Sequence, residues 1–150
     1  MSLDESSAVE TKGVRFIIFG MLALLAAGVV AFSLLRKPLG PPPVEIANDP
    51  LLVEGREVYL VRCTSCHGPK GRGDGPIAKG LSGPPPGDLT DETWKHGERP
   101  DQVLQVLSQG IKDTSMPGWR GTLGASELRA VSAYVFYLGG KKVPESLRSP

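Results

Sequence analysis

The two cysteines of this 150-residue chain lie three positions apart, and a histidine follows the second one directly, in Cys63-Thr64-Ser65-Cys66-His67. A Cys-x-x-Cys-His motif is the attachment signature of c-type haem. The spacing allows each thiol to form a thioether with one vinyl group of a single porphyrin, and it leaves the imidazole beside the iron. The motif therefore predicts one covalently bound haem c, held by Cys63 and Cys66, with His67 as an axial iron ligand.

Two other uses of a Cys-x-x-Cys pair fit this chain less well. A thioredoxin-like redox motif does not need the histidine and lies beside a βαβ pattern, which the sequence lacks. A structural zinc site needs four ligands, and His96 is the one further Cys or His residue in the chain. Haem attachment is the interpretation that uses every residue of the motif.

An iron that exchanges electrons without binding small molecules needs a second ligand. The candidate side chains are Met116, His96, Met1 and Met21. Met1 and Met21 lie before or inside the apolar segment described below, and His96 has the charged neighbours of a solvated surface position. Met116 precedes Pro117 in a turn-rich stretch, where it is poorly placed for the gap-filling role of a lone methionine. We therefore predict Met116 as the second axial ligand, and His/Met ligation raises the reduction potential.

Residues 16–35 form an uncharged run, FIIFGMLALLAAGVVAFSLL. About 20 apolar residues are what a helix needs to cross the hydrocarbon core of a bilayer. A cleaved signal peptide is the alternative, with a small-residue site at residues 29–31, but its apolar stretch is usually only about 7–15 residues long. A buried core helix would show a polar stripe, which is missing here. We therefore predict an uncleaved transmembrane helix over residues 14–36, in contact with membrane lipid.

The rest of the chain divides by composition. Residues 1–13 are polar and are expected to be poorly ordered. Residues 37–49 are rich in proline and predict a semi-rigid polyproline II linker, which could be an inert tether or a docking segment. Residues 50–140 are assigned to one domain, and residues 141–150 to a C-terminal tail.

Charge does not favour a nucleic-acid partner. The chain has 17 Lys and Arg against 16 Asp and Glu, a formal net charge of +1. Residues 38–150 carry 13 basic and 13 acidic residues, so a strongly charged docking face for a diffusing carrier is not evident. This balance favours a fixed subunit of a larger complex.

Three helices are indicated in the domain. Asp49 before a proline is typical of an N-cap, and the helix is expected to cover residues 50–62. A second helix is predicted over residues 100–109, and a last one over residues 126–138 with Ser126 as its N-cap.

The remainder of the domain lacks any strand pattern. Residues 68–88 are dense in Gly and Pro and should form a loop, followed by a short helix over residues 90–94. The domain is therefore predicted to be all-α. Because a domain of this size buries little apolar surface by itself, a bound macrocycle would complete its core.

Taken together, these features resemble a membrane-anchored class I cytochrome c over residues 51–139. The resemblance implies the cytochrome c fold, about four short helices around a covalent haem, here preceded by one transmembrane helix. It also implies that Gly55 and Tyr59 cross the last helix near Tyr134. The residues that carry it are Cys63, Cys66 and His67, the run Gly68-x-x-Gly71-x-Gly73-Asp74-Gly75-Pro76, Asp88-Leu89-Thr90, Thr114-Ser115-Met116-Pro117, and Tyr134 with Leu138.

The resemblance implies further residues around the haem. A proline carbonyl should accept a hydrogen bond from the second nitrogen of His67; Pro86 is our choice, with Pro85 next. Trp94 and Trp119 are expected to pack near the haem, although either could belong to an ordinary core.

The function implied by the resemblance is single-electron transfer without substrate turnover, so no catalytic residue is assigned. Electrons would come from a quinol-oxidising complex and pass to another cytochrome, an oxidase or a photosynthetic centre. A fixed haem c subunit of a nitric oxide reductase or a haem-copper oxidase is the first alternative. A haem gas sensor or peroxidase with an open iron site is the second, and it requires that Met116 is not a ligand.

The resemblance also implies a location. Bacterial c-type haem is attached outside the cytoplasmic membrane, so the haem domain should be periplasmic. The N-terminus should then be cytoplasmic, with a single pass through the inner membrane.

Overall fold

The computed structural model describes the backbone of residues 5–35 and 40–149, and the side chains of residues 14–31 and 40–149. The chain forms two compact units, Met1–Pro38 and Leu39–Pro150. Predictions that concern residues 1–4, 36–39 and 150, including Met1 as a candidate ligand, lie outside the described residues.

The first unit contains one long helix, α1 (Glu5–Leu35). Its Val14–Ala31 stretch is long and apolar enough to cross a membrane, by length and composition. The helix starts nine residues before the predicted position and includes residues 5–13, for which poor order stays a prediction. These residues lack proline and include good helix formers, and a helix that is already nucleated extends at little cost.

The second unit is helical. Its elements are α2 (Pro50–Arg62), α3 (Thr64–His67), α4 (Pro100–Gln109) and α5 (Ala125–Leu138), with 3₁₀ turns at Ala78–Gly80 and Glu145–Leu147. Within the described residues no strand forms, and one isolated antiparallel bridge joins Gly110 to Pro117. The predicted all-α class is confirmed.

Helix α2 starts as its sequence predicts. The Asp49 carboxylate accepts a hydrogen bond from the backbone N–H of Leu52 at 3.3 Å, and Pro50 occupies the first turn. At the other end the N–H of Cys63 still donates to the carbonyl of Tyr59 at 2.9 Å. The helix therefore delivers the chain directly into the Cys-x-x-Cys-His motif.

Helices α2 and α5 cross at a glycine. A Cβ at Gly55 would collide with the carbonyl of Ala130 and lie 2.9 Å from the Cβ of Tyr134. One turn further on, Tyr59 is fully buried with its ring centroid 5.4 Å from that of Tyr134. The predicted crossing is confirmed, and it forms the main packing contact of the second unit.

The start of α5 differs from the prediction. Gly124, not Ser126, is the N-cap, because its backbone is extended and its N–H donates to the Glu127 carboxylate at 2.8 Å. Ser126 lies inside the first turn. Glu127 reaches back to the cap, as a capping-box acid does.

The region between α3 and α4 also departs from prediction. No helix forms over residues 90–94, because the Asp88 carboxylate accepts hydrogen bonds from both the N–H and the hydroxyl of Thr90, at 2.8 and 2.6 Å. Such a local turn competes with helix formation. The long loop before it contains one 3₁₀ turn, Ala78–Gly80, where no regular element was expected.

The packed unit is longer than the predicted 50–140 domain at both ends. Ile46 in the linker and Leu147 in the supposed tail are each 1% exposed. The Arg148 guanidinium also donates to the Asp49 carboxylate at 2.9 Å. The last residues are therefore not a free tail, because they supply apolar cover and an ion pair to the same unit.

Candidate haem site

The Cys-x-x-Cys-His motif forms a single helical turn, α3. The Thr64 hydroxyl donates to the carbonyl of Leu60 at 2.9 Å, and the N–H of His67 donates to the carbonyl of Cys63 at 2.8 Å. The turn is thereby attached to the end of α2. Because both hydrogen bonds are local, the positions of the two thiols and the imidazole follow from helix α2.

The glycine-rich loop wraps back over this turn. Gly73 donates to the carbonyl of His67 at 2.9 Å, and Gly75 donates to that of Cys66 at 3.1 Å. A Cβ at Gly75 would collide with the backbone of Ser65 and Cys66. Gly68, which ends the turn, has a φ of 74°, a left-handed conformation that favours glycine. Close backbone approach thus requires a glycine at position 75, and a left-handed φ favours one at position 68.

The two thiols are free in the folded chain, one buried and one half-buried. Burial raises the pKa of the Cys63 thiol to about 12. Redox-active cysteines usually have a lowered pKa, so this environment does not suit a thioredoxin-like role. No cluster of three metal-binding side chains occurs in the part of the chain that the structure describes, and a zinc site therefore gains no support.

The imidazole of His67 carries a buried nitrogen without a partner. Its Nδ1 has no hydrogen bond, burial lowers the pKa of the ring, and the backbone of Gly87 partly offsets this. The Pro86 carbonyl oxygen lies against Gly73, where a Cβ would collide with it. The role of Pro86 as acceptor for His67 therefore stays a prediction, and Gly87 is the backbone group that affects the ring.

Met116 lies in the loop between α4 and α5 and is half-buried. Its N–H donates to the Thr114 hydroxyl at 3.1 Å, and its carbonyl accepts from the N–H of Ile111 at 3.2 Å. Gly110 begins this loop with a φ of 75°, and a Cβ there would meet Met116 and Pro117 backbone atoms. The loop is compact because its own backbone and one hydroxyl hold it.

One largely apolar cavity of about 490 Å³ brings the predicted residues together. All seven sequence-predicted site residues line it: Cys63, Cys66, His67, Pro86, Trp94, Met116 and Trp119. His96, expected at the surface, is exposed and lies at the rim of the same cavity.

The sequence model of the family described as "Cytochrome C oxidase, cbb3-type, subunit III" matches residues 50–135. The chain belongs to this family. The predicted class I cytochrome c is confirmed, and haem c is the cofactor of such a domain. The match begins at the first residue of α2 and ends three residues before the end of α5.

Several proteins resemble this subunit III domain. The Cbb3-type cytochrome c oxidase subunit FixP of Bradyrhizobium diazoefficiens is 34% identical over 59% of this chain and 28% of its own length. Subunit CcoP of Cereibacter sphaeroides is 31% identical over 60% of this chain and 28% of its own length. A chain of the Kuenenia stuttgartiensis reducing HAO-like protein complex is 31% identical with a TM-score of 0.56, over 68% of this chain and 47% of that one. The chain thus spans under a third of the length of these curated relatives.

The cavity of this subunit III domain fits a haem c. Two buried polar nitrogens, His67 Nδ1 and Trp119 Nε1, have no partner within the described residues. Buried polar groups are normally paired, so the unpaired indole N–H of Trp119 indicates that a further group belongs in the cavity. The thiols, the imidazole and the thioether in the wall are the donor types that a c-type haem uses.

The two tryptophans have different surroundings. The Trp94 indole N–H donates to the carbonyl of Leu89 at 3.0 Å, and its ring packs on Phe136 with centroids 5.2 Å apart. Trp119 has no such partner for its N–H. Trp94 is therefore anchored in the wall, whereas Trp119 offers an unused donor.

Sequence reasoning missed part of the apolar lining. Leu81 and Leu89 line the cavity from the glycine- and proline-rich loops, and Val135 does so from α5. Leu81 and Leu89 are the only leucines within residues 68–93, and that isolation was the available signal. An apolar side chain in a stretch with no regular element is expected to cover something buried.

Proposed function

We propose that this protein is a one-electron carrier that holds a single covalent haem c and has no substrate-converting site of its own. The observation that carries the proposal is that His67 and Met116, distant in sequence, line one apolar cavity together with Cys63 and Cys66. The bound haem would supply reversible one-electron exchange at its iron. The protein supplies attachment, axial ligands and exclusion of water.

Each residue has a separate role in this proposal. Cys63 and Cys66 hold the haem through thioethers, and His67 and Met116 are its axial ligands. A thioether paired with an imidazole raises the reduction potential relative to two imidazoles. If His67 and Met116 both bound the iron, they would leave no iron position for a substrate, and the haem would supply electron transfer.

The relatives support a place in a membrane redox complex. FixP of Bradyrhizobium diazoefficiens and CcoP of Cereibacter sphaeroides are subunits of Cbb3-type cytochrome c oxidases, and α1 contains a stretch suited to crossing a membrane. We therefore place the protein in the bacterial inner membrane as an electron-transfer subunit of such an oxidase, with its haem unit periplasmic and its N-terminus cytoplasmic. Its electron donor would be another cytochrome or a quinol-oxidising complex.

The axial role of Met116 separates an electron carrier from a sensor or peroxidase. In haem-loaded Met116→Ala we expect the haem to stay covalently attached, the far-red iron–thioether absorption band to disappear, and carbon monoxide to bind the reduced protein. Met21→Ala, in α1, is the matched control and should keep the parental spectrum. A Met116→Ala spectrum identical to the parent, or a parent that already binds carbon monoxide, would contradict the proposal.

The partner is tested by purification from native membranes in mild detergent. We expect the large catalytic subunit of an oxidase to co-purify with the tagged full-length chain. Mass spectrometry of the eluate identifies that subunit. Recovery of the chain without any redox subunit would contradict the assignment to a complex but not the haem site.

A further inference from the structure

The loop that carries Met116 is held by hydrogen bonds within itself, and just after it the N–H of Trp119 donates to the carbonyl of Leu107 in α4 at 2.8 Å. Besides the two backbone bonds of Met116, the Thr114 hydroxyl donates to the carbonyl of Ile111 at 2.8 Å. These three bonds join residues 111–116 to one another. They fix the shape of the loop, but none of them attaches it to residues 82–86, the segment whose prolines also line the cavity.

One side chain makes that attachment. The hydroxyl of Ser115 donates to the backbone carbonyl of Ser82, 33 residues away in sequence, at 2.8 Å. Next to this bond, Gly83 has a φ of 84°, and a Cβ there would lie 3.0 Å from the carbonyl oxygen of Asp113. The two segments therefore approach backbone to backbone, with a glycine that permits the approach and a hydroxyl that bridges it.

The segment that receives the bond is stiff. Ser82 and Gly83 lead into Pro84, Pro85 and Pro86, all of which line the cavity. Consecutive prolines have fixed φ angles and few accessible conformations. The Ser82 carbonyl lies two residues before this run of prolines.

We infer that Ser115 is a positioning residue for Met116, whose hydroxyl holds the Met116 loop against the proline segment and so limits how often the thioether leaves the iron. This inference rests on the proposed function, in which Met116 is an axial ligand. Ser115 itself is exposed, at the edge of the cavity that it lines next to Met116; it acts through the residue that follows it.

The test is the rate at which added imidazole binds the oxidised, haem-loaded full-length protein, because the thioether must leave before imidazole can enter. Loss of one hydrogen bond should raise the open fraction about fivefold, so Ser115→Ala is expected to bind imidazole about fivefold faster than the parent. Ser115→Thr keeps a hydroxyl at an exposed position and should return the rate to the parental value.

Ser82→Ala is the matched control, because the bond uses the backbone carbonyl of Ser82 and not its hydroxyl. We expect it to keep the parental rate. A Ser115→Ala rate equal to the parent, or an equal acceleration in Ser82→Ala, would overturn the inference. A parent that binds imidazole as fast as Met116→Ala would instead overturn the proposed function, since Met116 would then not be a ligand.

Discussion

Gly55 shows at the scale of one residue how closely α2 and α5 pack. A Cβ at this position would collide with the Ala130 carbonyl and crowd Tyr134. Neither neighbour is the free end of a flexible side chain, so the two helices would have to separate. About two helical turns lead from Gly55 to Cys63, so the haem attachment point would move with α2.

We therefore expect Gly55→Ala to lower the free energy of unfolding of the haem-loaded protein by about 2 kcal/mol, as overpacking typically does. Urea denaturation, followed by far-ultraviolet circular dichroism, measures this. Gly121→Ala is the control, since a Cβ there meets nothing within 4 Å. Equal midpoints for the two variants would show that the crossing tolerates a methyl group.

At this scale the sequence was most informative where covalent chemistry dictates spacing. The positions of Cys63, Cys66 and His67 in one cavity wall follow from their adjacency at the end of a predictable helix. A backbone acceptor for the His67 imidazole could not be derived in that way, and its Nδ1 has no hydrogen bond in the folded chain. The acceptor depends on how a proline- and glycine-rich segment bends. Three adjacent prolines and the following glycine offer several backbone carbonyls, and the sequence does not distinguish which one lies near the imidazole.

Among the elements, the segment between Asp88 and Arg99 is joined to the end of α5 by Lys141. The Lys141 ammonium donates to the carbonyl of Glu92 at 2.6 Å and pairs with the Glu98 carboxylate at 3.2 Å. It also lies 5.1 Å from the centre of the Trp94 ring, which lines the cavity. One charged group thus contacts three residues of a segment that has no regular secondary structure.

Replacement of this lysine should loosen the segment. In Lys141→Met we expect the amide hydrogens of Trp94 and Gly97 to exchange about fivefold faster, as for the loss of one hydrogen bond, while the methionine keeps the apolar contact with Trp94. Hydrogen exchange measured by NMR reports each amide. Lys142→Met, an exposed neighbour, is the control, and unchanged protection in Lys141→Met would mean that the segment is held by other contacts.

The predicted ends of the helices agree with the structure in some places and not in others. Helices α2 and α4 begin at prolines, which limit the backbone on their own, and both end where predicted, α2 before Cys63 and α4 before Gly110. The short helix at residues 90–94 and the cap at Ser126 were wrong for a common reason. In both places a nearby carboxylate, from Asp88 or Glu127, forms a local hydrogen bond. The residue pattern alone does not show which backbone N–H such a carboxylate will bind.

Across the second unit (Leu39–Pro150), which contains the candidate haem site and is called the haem unit below, the residue before α2 is joined to the C-terminal residues. The Asp49 carboxylate caps α2 with one oxygen and accepts from Arg148 with the other, 99 residues away in sequence. The Arg148 hydrogen bond is the main reason that the pKa of Asp49 lies below its ordinary value. No pattern within residues 141–150 indicated this contact, because a single arginine in a polar stretch has many equivalent uses.

The sign of the pH effect follows from that shift. A carboxyl with a lowered pKa in the folded protein stabilises the fold when it is charged, and this contribution is lost as the pH falls from about 4, the unfolded value, through the folded pKa. Asn is also a good N-cap, so Asp49→Asn removes mainly the charge. We expect it to cost about 0.5 kcal/mol at neutral pH and nothing in acid well below the folded pKa.

Urea unfolding at several pH values, with a double-mutant cycle, checks this prediction. Arg148→Gln should cost a similar amount, and the double variant should cost little more than either single change, since both remove the same interaction. Additive losses, or a difference between Asp49→Asn and the parent that persists in acid, would assign the shift to another group.

The closure of the haem unit by Ile46, Asp49, Leu147 and Arg148 also bears on how such a unit can be assembled into larger proteins. A domain whose chain enters and leaves at the same place can be inserted into a longer polypeptide, or fused at either end, without a change in its interior. The named relatives, more than three times the length of the matched region, are consistent with this modular use. The ion pair between Asp49 and Arg148 would then hold the two ends of the domain together where it is joined to a neighbouring domain.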